Sequence, residues 1–140
     1  MEPFRNPDDA TLRALLERVR RIVVVGLSPK AYRDSHRVAR YLRDHGYEVV
    51  PVYPREEEIL GQRVFRRVQD IPGEVDLVDV FRRREDLPAT IDDALAKGAG
   101  ALWMQLDCID EAGARRACDA GMSVVMDRCL MVEHARLLGR

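Results

Sequence analysis

A run of branched apolar residues that ends at a glycine constrains this chain more than any other feature. Residues 22–25 (IVVV) have no polar position, which is typical of a strand buried on both faces of a parallel sheet. Gly26 ends the run, and a turn with Pro29 and Lys30 follows. Ser35 is predicted to cap a helix whose apolar positions recur at helical spacing. The stretch therefore predicts a strand, a tight turn and a helix, and free N–H groups at the start of that helix favour a phosphate.

This turn has fewer glycines than the dinucleotide-binding fingerprint. If Gly26 is the first glycine of G-x-G-x-x-G, Ser28 and Ala31 stand at the other two glycine positions. The second glycine lets the backbone approach a pyrophosphate, so Ser28 implies another approach path or a contact from its hydroxyl. We expect an anion at this turn, although similar turns occur in α/β proteins without a ligand.

Composition narrows the function classes. A length of 140 residues predicts one domain over residues 1–140. The formal net charge of −1 gives no electrostatic argument for a nucleic acid or a membrane as partner. The start of the chain lacks a signal-peptide pattern, and no apolar run approaches the length of a membrane span. The three cysteines, Cys108, Cys118 and Cys129, have the spacing of neither a zinc site nor a disulfide framework, so a reducing cytoplasm is expected.

Apolar periodicity then divides the chain into alternating strands and helices. Strands are predicted at residues 22–25, 47–52, 75–81, 99–104 and 122–126. Asn6 is predicted to cap a first helix, and Asp110 a later one. The polar connection over residues 56–72 is too long for a bare loop, so short strands or helical turns are expected within it. Asp76 and Asp79 are unusual in a buried strand, and we expect them at its ends or accepting hydrogen bonds.

This alternation predicts an α/β fold. The strands and helices follow one another with short connections, and no segment has the pattern of a hairpin. We therefore expect a three-layer, Rossmann-like parallel sheet of five strands with helices on both faces. The predicted strand order, numbered along the chain, is 3-2-1-4-5, with the ligand crevice beside strand one.

The end of the second strand separates two classes of cofactor. Nicotinamide enzymes usually have an acidic residue there that holds the ribose hydroxyls, whereas this chain continues with Tyr53, Pro54 and Arg55. Arginine attracts a phosphate where aspartate would repel it. The strand end therefore argues against a nicotinamide cofactor and favours a nucleotide with an extra phosphate near its ribose.

Taken together, these segments resemble the stand-alone coenzyme A-binding protein family. That family has the fold of the N-terminal domain of the succinyl-CoA synthetase alpha subunit. The resemblance covers residues 23–138, and its matching stretches are VVGLSPKAYRDSHRVARYL, GYEVVPVYP, EILGQRVF, DIPGEVDLVDVFRRRE, GAGALWMQ, EAGARRACDAGMSVVMDRC and EHARL. It implies one bound coenzyme A (CoA) or acyl-CoA. The diphosphate would lie at the first turn, the phosphorylated adenosine near the end of strand two, and the pantetheine arm across the carboxyl edge of the sheet.

The resemblance also assigns cofactor-binding positions. Those of the phosphate turn are Gly26, Ser28, Pro29, Lys30, Arg33 and Ser35. Those beside the nucleotide are Tyr53, Pro54 and Arg55, and those of the crevice wall are Phe81 and Arg82. Those toward the pantetheine arm are Met104, Gln105, Arg128 and Cys129. The synthetase has glycines where this chain has Pro29 and Tyr32, and the family more often has asparagine in place of Tyr53. The synthetase's second domain has no counterpart here, so ligase chemistry is not expected.

Three functions remain open at this point. The leading interpretation is a cytoplasmic module that holds CoA or an acyl-CoA as a carrier or a sensor, without catalysis. In the second, Cys129 transfers the CoA thiol or an acyl group, because N–H groups at a helix start and the nearby Arg128 stabilise a thiolate. The third is an NAD(H)-binding redox module. No metal site is predicted, since Glu133 and His134 are adjacent and do not share a helix face. A homodimer is a reasonable expectation, and no protein partner is identified.

Overall fold

Strands and helices alternate through residues 3–139, the part of the chain that the computed structural model describes. The helices are α1 (Asp9–Arg18), α2 (Asp34–Asp44), α3 (Leu87–Lys97), α4 (Glu111–Asp119) and α5 (Leu130–Leu138). The strands are β1 (Arg21–Val25), β2 (Glu48–Val52), β3 (Glu58–Ile59), β4 (Gln62–Arg63), β5 (Leu77–Val80), β6 (Ala101–Met104) and β7 (Ser123–Met126). Short 3-10 turns occupy Val68–Asp70 and Arg84–Asp86.

Five of these strands form one parallel sheet, which confirms the Rossmann-like α/β prediction. Their order is β2-β1-β5-β6-β7, or 2-1-3-4-5 when the strands of this sheet are numbered along the chain, so the predicted order 3-2-1-4-5 is wrong. The outer edge of β2 is already occupied: Phe65 N–H donates to Pro51 O, and Tyr53 N–H donates to Phe65 O, both at 3.0 Å. Because the segment after β2 covers that edge, β5 returns to the free side of β1.

The polar connection contains the short elements that its length predicted. β3 and β4 pair as a small antiparallel hairpin, which corrects the expectation that no segment forms one. The turn residues Leu60 and Gly61 both have positive φ, 52° and 73°. A two-residue hairpin turn of this kind usually carries Asn-Gly or Asp-Gly, and Leu-Gly lacks that signal.

Two predicted helix caps have other roles. Asp8, not Asn6, caps α1, and its side chain accepts the Thr11 N–H. The Asn6 side chain instead forms two hydrogen bonds with the Met126 backbone, at 2.8 and 3.0 Å, and so covers the outer edge of β7 at its last residue. Ser35 lies inside the first turn of α2 rather than before it.

The core has one layer on each face of the sheet. One layer packs β1, β5 and β6 against α1, α2 and α5, and the other packs the same strands against α3 and α4. Asp76 accepts the N–H groups of Arg20 and Arg21 at 2.9 and 2.8 Å, as expected of a polar residue near a strand end. None of the helices in the described part of the chain is long and apolar enough to cross a membrane.

Asp79 departs from the prediction. It is fully buried, and neither carboxyl oxygen has a hydrogen-bond partner among the described residues. Burial raises the pKa of Asp79 well above its ordinary value, because desolvation penalises the charged form. The Asp79 side chain is therefore protonated and neutral in the folded protein at pH values near the ordinary pKa of a carboxyl group.

Candidate functional site

The turn after β1 is built around a glycine that no other residue can replace without strain. Gly26 has φ +84°, and a Cβ at this position would lie 2.1 Å from the carbonyl oxygen of Phe81. Its N–H donates to Val52 O at 2.8 Å, which keeps the turn against the end of β2. Gly26 therefore lets the backbone pass between the ends of β2 and β5, at the point where the sheet order reverses.

Side-chain hydrogen bonds hold the rest of the turn in place. The Ser28 N–H donates to Ser35 Oγ at 3.0 Å, and the Lys30 N–H donates to Ser28 Oγ at 3.1 Å. Nδ1 of His36 lies 2.8 Å from Ser28 O. Ser28, Ser35 and His36 are all buried, whereas Lys30 and Arg33 are exposed. The polar interior of the turn thus fixes its shape and leaves its two cations at the surface.

A polar pocket of about 300 Å³ opens at this turn. Its lining residues are Gly26, Ser28, Lys30, Arg33, Asp34, Ser35, Tyr53 and Phe81. The first turn of α2 contributes backbone N–H groups and the positive end of its dipole, and Lys30 and Arg33 add two positive charges. Asp34 forms an ion pair with Arg37, which offsets its charge. The pocket therefore suits an anion such as a phosphate.

A second pocket, of about 230 Å³, lies along the same edge of the sheet and is mainly apolar. Its lining residues are Asp34, Arg37, Val38, Phe81, Gln105, Leu106, Cys108, Cys129, Met131 and Val132. It shares Asp34 and Phe81 with the polar pocket. We call the two pockets together the carboxyl-edge crevice, with a polar half at β1 and an apolar half that reaches the start of α5.

Buried hydrogen bonds shape the apolar half. Gln105, which is only 4% exposed, accepts the Leu130 N–H through Oε1 at 3.1 Å and so ties the end of β6 to the start of α5. Cys108 Sγ donates to Arg82 O at 3.2 Å. Burial raises the pKa of the Cys108 thiol, so this thiol stays protonated near neutral pH. Cys129 is half-buried and immediately precedes α5.

Nine of the fifteen predicted cofactor-binding residues line the crevice. They are Gly26, Ser28, Lys30, Arg33, Ser35, Tyr53, Phe81, Gln105 and Cys129. Pro29, Pro54, Arg55 and Arg82 do not line either pocket; Pro29, Pro54 and Arg82 are each adjacent in sequence to a lining residue, and Arg55 is two residues from Tyr53. That these residues contact a ligand stays a prediction.

Two residues predicted to lie toward the pantetheine arm, Met104 and Arg128, do not line the crevice. Met104 is fully buried and packs in the core layer of α3 and α4. Arg128 Nη1 donates to Glu133 Oε1 at 2.9 Å and does not line the crevice, while its carbonyl accepts the Trp103 indole N–H. Within residues 3–139 there is no group of three or more His, Cys, Asp or Glu residues that could hold a metal ion.

The crevice also contains residues that the sequence reasoning did not select. They are Asp34, Arg37, Val38, Leu106, Cys108, Met131 and Val132. Leu106 and Val132 are 60% and 54% exposed, which is unusual for large apolar side chains and marks the rim of the apolar half. Their position after a strand or in the first turn of a helix was a usable signal, because ligands of open α/β sheets bind at that edge.

Comparison with known proteins shows one family along nearly the whole chain. A family model described as a CoA binding domain matches residues 20–135. An uncharacterised Bacillus subtilis protein, YneT, is 38% identical over 132 residues, which are 94% of this chain and 98% of that protein. The alpha subunit of acetate–CoA ligase (ADP-forming) II from Pyrococcus furiosus is 34% identical over 80 residues, which are 56% of this chain and 18% of the subunit.

Solved structures share the fold. A hypothetical protein from Pyrococcus horikoshii OT3 superposes with a TM-score of 0.92 at 39% identity, covering 99% of this chain and 100% of that one. The dinucleotide-forming acetyl-coenzyme A synthetase 1 of Candidatus Korarchaeum cryptofilum, in complex with phosphate and ADP, gives a TM-score of 0.68 at 25% identity. That match covers 74% of this chain and 25% of the synthetase. The chain therefore corresponds to a small part of the synthetase.

Proposed function

The chain belongs to the CoA-binding domain family, and on that premise we propose that its carboxyl-edge crevice binds coenzyme A or an acyl-CoA without catalysing a reaction. One observation carries the proposal: a polar pocket and an apolar pocket lie side by side and share Asp34 and Phe81 as lining residues. CoA has a matching division, with three phosphate groups at one end and a long, largely uncharged arm at the other. A free phosphate or a short anion would occupy only the polar half.

The charges of the polar half support the proposed orientation. Lys30 and Arg33 are exposed beside the N–H groups of α2, where they would meet the diphosphate. Tyr53 lines the same pocket at the end of β2, where the adenosine would lie. Arg55 is exposed two residues further on, and its guanidinium would reach the ribose phosphate. The pantetheine arm would then cross the ends of β5 and β6 toward α5.

We further propose that the protein acts in the cytoplasm, as a carrier of CoA or a sensor of the CoA level. No observation in the crevice favours NAD(H): β2 is not followed by an acidic ribose clamp, and the next residues are Tyr53, Pro54 and Arg55. The choice between carrying and sensing depends on the acyl group and on a protein partner, and both are open to direct measurement.

Isothermal titration of the purified protein with CoA tests the proposal, with dephospho-CoA, ATP and NAD as matched ligands. We expect CoA to bind with one site, dephospho-CoA to bind more weakly, and NAD to give no saturable heat. A thermal shift at saturating CoA provides a second readout, since any ligand of the native state stabilises it by mass action. If CoA produces neither binding heat nor a thermal shift, the proposal is wrong.

A further inference from the structure

Two of the three cysteines of this chain lie in the apolar half of the crevice. Cys108 and Cys129 line that pocket together with Met131, so three sulfur-containing residues line one cavity of about 230 Å³. The third cysteine, Cys118, is exposed in α4 and does not line the crevice. The chain therefore contains two thiols in the crevice, and the exposed Cys118 is an internal control for unspecific thiol modification.

The position of Cys129 at the carboxyl edge of the sheet, just before α5, matches the far end of a long ligand. The strands between the polar pocket and Cys129 follow in the order β1-β5-β6-β7. Neighbouring strands are spaced ~4.8 Å apart, so about 14 Å separates β1 from β7. Cys129 follows β7 but lies beside the end of β6, because the next residue, Leu130, donates its N–H to Gln105. A ligand with its diphosphate at Gly26 must therefore extend an arm across about two of these strand spacings to reach Cys129. The thiol or disulfide sulfur of a CoA molecule is the end of such an arm.

A buried polar group at the same place points to the arm itself. Gln105 is more than nine-tenths buried and lines the apolar half. Its Oε1 accepts the Leu130 N–H, and no residue in the described part of the chain accepts a hydrogen bond from its Nε2. That Nε2 is a donor without a protein acceptor in a mainly apolar pocket. An amide carbonyl of the pantetheine arm is the chemical group that would accept from it.

The two crevice thiols differ in their reactivity. Cys108 Sγ is hydrogen-bonded to backbone carbonyl oxygens, and its burial disfavours the thiolate. Cys129 is half-buried, and none of the described residues forms a hydrogen bond with its Sγ. Since the thiolate is the attacking species in disulfide exchange, Cys129 is the better nucleophile of the pair.

From this arrangement we propose that Cys129 undergoes thiol–disulfide exchange with the disulfide of coenzyme A held in the crevice, an inference that rests on the proposed CoA-binding function. The Cys129 thiol gives its proton to water, and the thiolate attacks one sulfur of CoA disulfide. The Cys129–CoA disulfide bond forms while the original S–S bond breaks, and the leaving CoA thiolate takes up a proton. One disulfide is consumed and one is formed, so the step needs no other oxidant.

Intact-mass spectrometry tests this step on three proteins: the unaltered chain, Cys129→Ser and Cys118→Ser. Each is incubated with CoA disulfide and, separately, with glutathione disulfide at the same concentration. We expect one CoA adduct on the unaltered chain and on Cys118→Ser, none on Cys129→Ser, and loss of the adduct on reduction. Adduct formation with CoA disulfide should be at least tenfold faster than with glutathione disulfide. Adenosine 3′,5′-bisphosphate, which occupies only the polar half, should slow it.

Several results would overturn the inference. An adduct that persists in Cys129→Ser, or one that is lost in Cys118→Ser, would identify another cysteine. Equal rates with the two disulfides would indicate unspecific modification. Peptide mapping of the adduct on the unaltered chain locates the modified residue even if Cys129→Ser fails to fold.

Titration with reduced CoA separates this inference from the proposed function. If the unaltered chain binds CoA and forms no adduct with the disulfide, only the exchange proposal is wrong. If it binds no CoA at all, the proposed function fails, and any adduct is adventitious.

Discussion

The backbone N–H of Ser28 donates to Ser35 Oγ at 3.0 Å, so a hydroxyl in the first turn of α2 holds the turn that leaves β1. Both residues are buried and both line the polar half of the crevice. The shape of the polar half therefore depends on a hydrogen bond within the protein, made by a side chain that could otherwise meet a ligand directly.

Ser35→Ala is expected to destabilise the protein and weaken its binding of CoA. The substitution leaves the buried Ser28 N–H without an acceptor, which costs about 1–3 kcal/mol. Urea denaturation and CoA titration measure the two effects. Ser123→Ala is the control, because the Ser123 hydroxyl accepts a long hydrogen bond of 3.4 Å from the exposed Arg18 and no other from residues 3–139. If both variants are equally stable, the turn does not depend on Ser35.

Gly26→Ala should lower stability more than Gly46→Ala. Both glycines have positive φ, 84° and 93°, so each substitution carries the left-handed backbone cost of about 1–2 kcal/mol. Only at Gly26 does the added Cβ meet another atom, the carbonyl oxygen of Phe81, whereas nothing lies within 4 Å at Gly46. Chemical denaturation of the two variants therefore isolates the cost of the close approach. Equal losses would show that the chain relaxes around Gly26 without difficulty.

Lys30→Met is expected to raise the Kd for CoA about tenfold or more, since a hydrogen bond to a charged group contributes about 1.5–3 kcal/mol. The loss should shrink at high salt, because the interaction is with phosphate at an exposed position. Lys97→Met serves as the control: it removes the only other lysine, whose Nζ donates to Ile71 O outside the crevice. Isothermal titration at two salt concentrations gives the comparison. A Kd that is equally affected by both substitutions would place the phosphates elsewhere.

Asp79→Asn should make the protein more stable at neutral pH and remove part of the pH dependence of its stability. The pKa of Asp79 is raised in the folded state, so ionisation of this group lowers the free energy of unfolding as the pH rises. The stability that the neutral carboxyl group provides is fully present below the unfolded-state pKa of about 3.9 and is lost as the pH rises through the folded-state pKa. Asparagine does not ionise, so the advantage of the variant should grow with pH, by at most about 1.4 kcal/mol per unit. Urea denaturation between pH 5 and pH 8 measures it.

Asp76→Asn provides the contrast for that experiment. Both backbone N–H groups donate to one carboxyl oxygen of Asp76, so replacing the carboxyl group by an amide weakens two hydrogen bonds and should make this variant less stable than the unaltered chain. If the difference in unfolding free energy between Asp79→Asn and the unaltered chain is constant from pH 5 to pH 8, the pKa of Asp79 in the folded state is not raised into or above this range.

The sequence by itself determined most of the strands and helices and the glycine turn after β1. Residues 22–25 are apolar at every position, so they form a strand buried on both faces, and Gly26 ends it where positive φ is needed. The family resemblance, carried by stretches along most of the chain, correctly identified the CoA-binding domain family. Each of these features involves residues that are close together in the sequence or stretches that match a family in order along the chain, so a pattern of residue types is enough to predict it.

Only the tertiary structure decided which elements are neighbours. The position of β5 beside β1 depends on Phe65 covering the edge of β2, a contact between segments that no periodicity describes. The same long-range packing buries Asp79 without a partner, places Met104 in the core, and brings Val38 of α2 and Met131 of α5 into one apolar pocket. A sequence pattern specifies the face on which a side chain lies. The side chains that it meets there depend on how the whole chain packs.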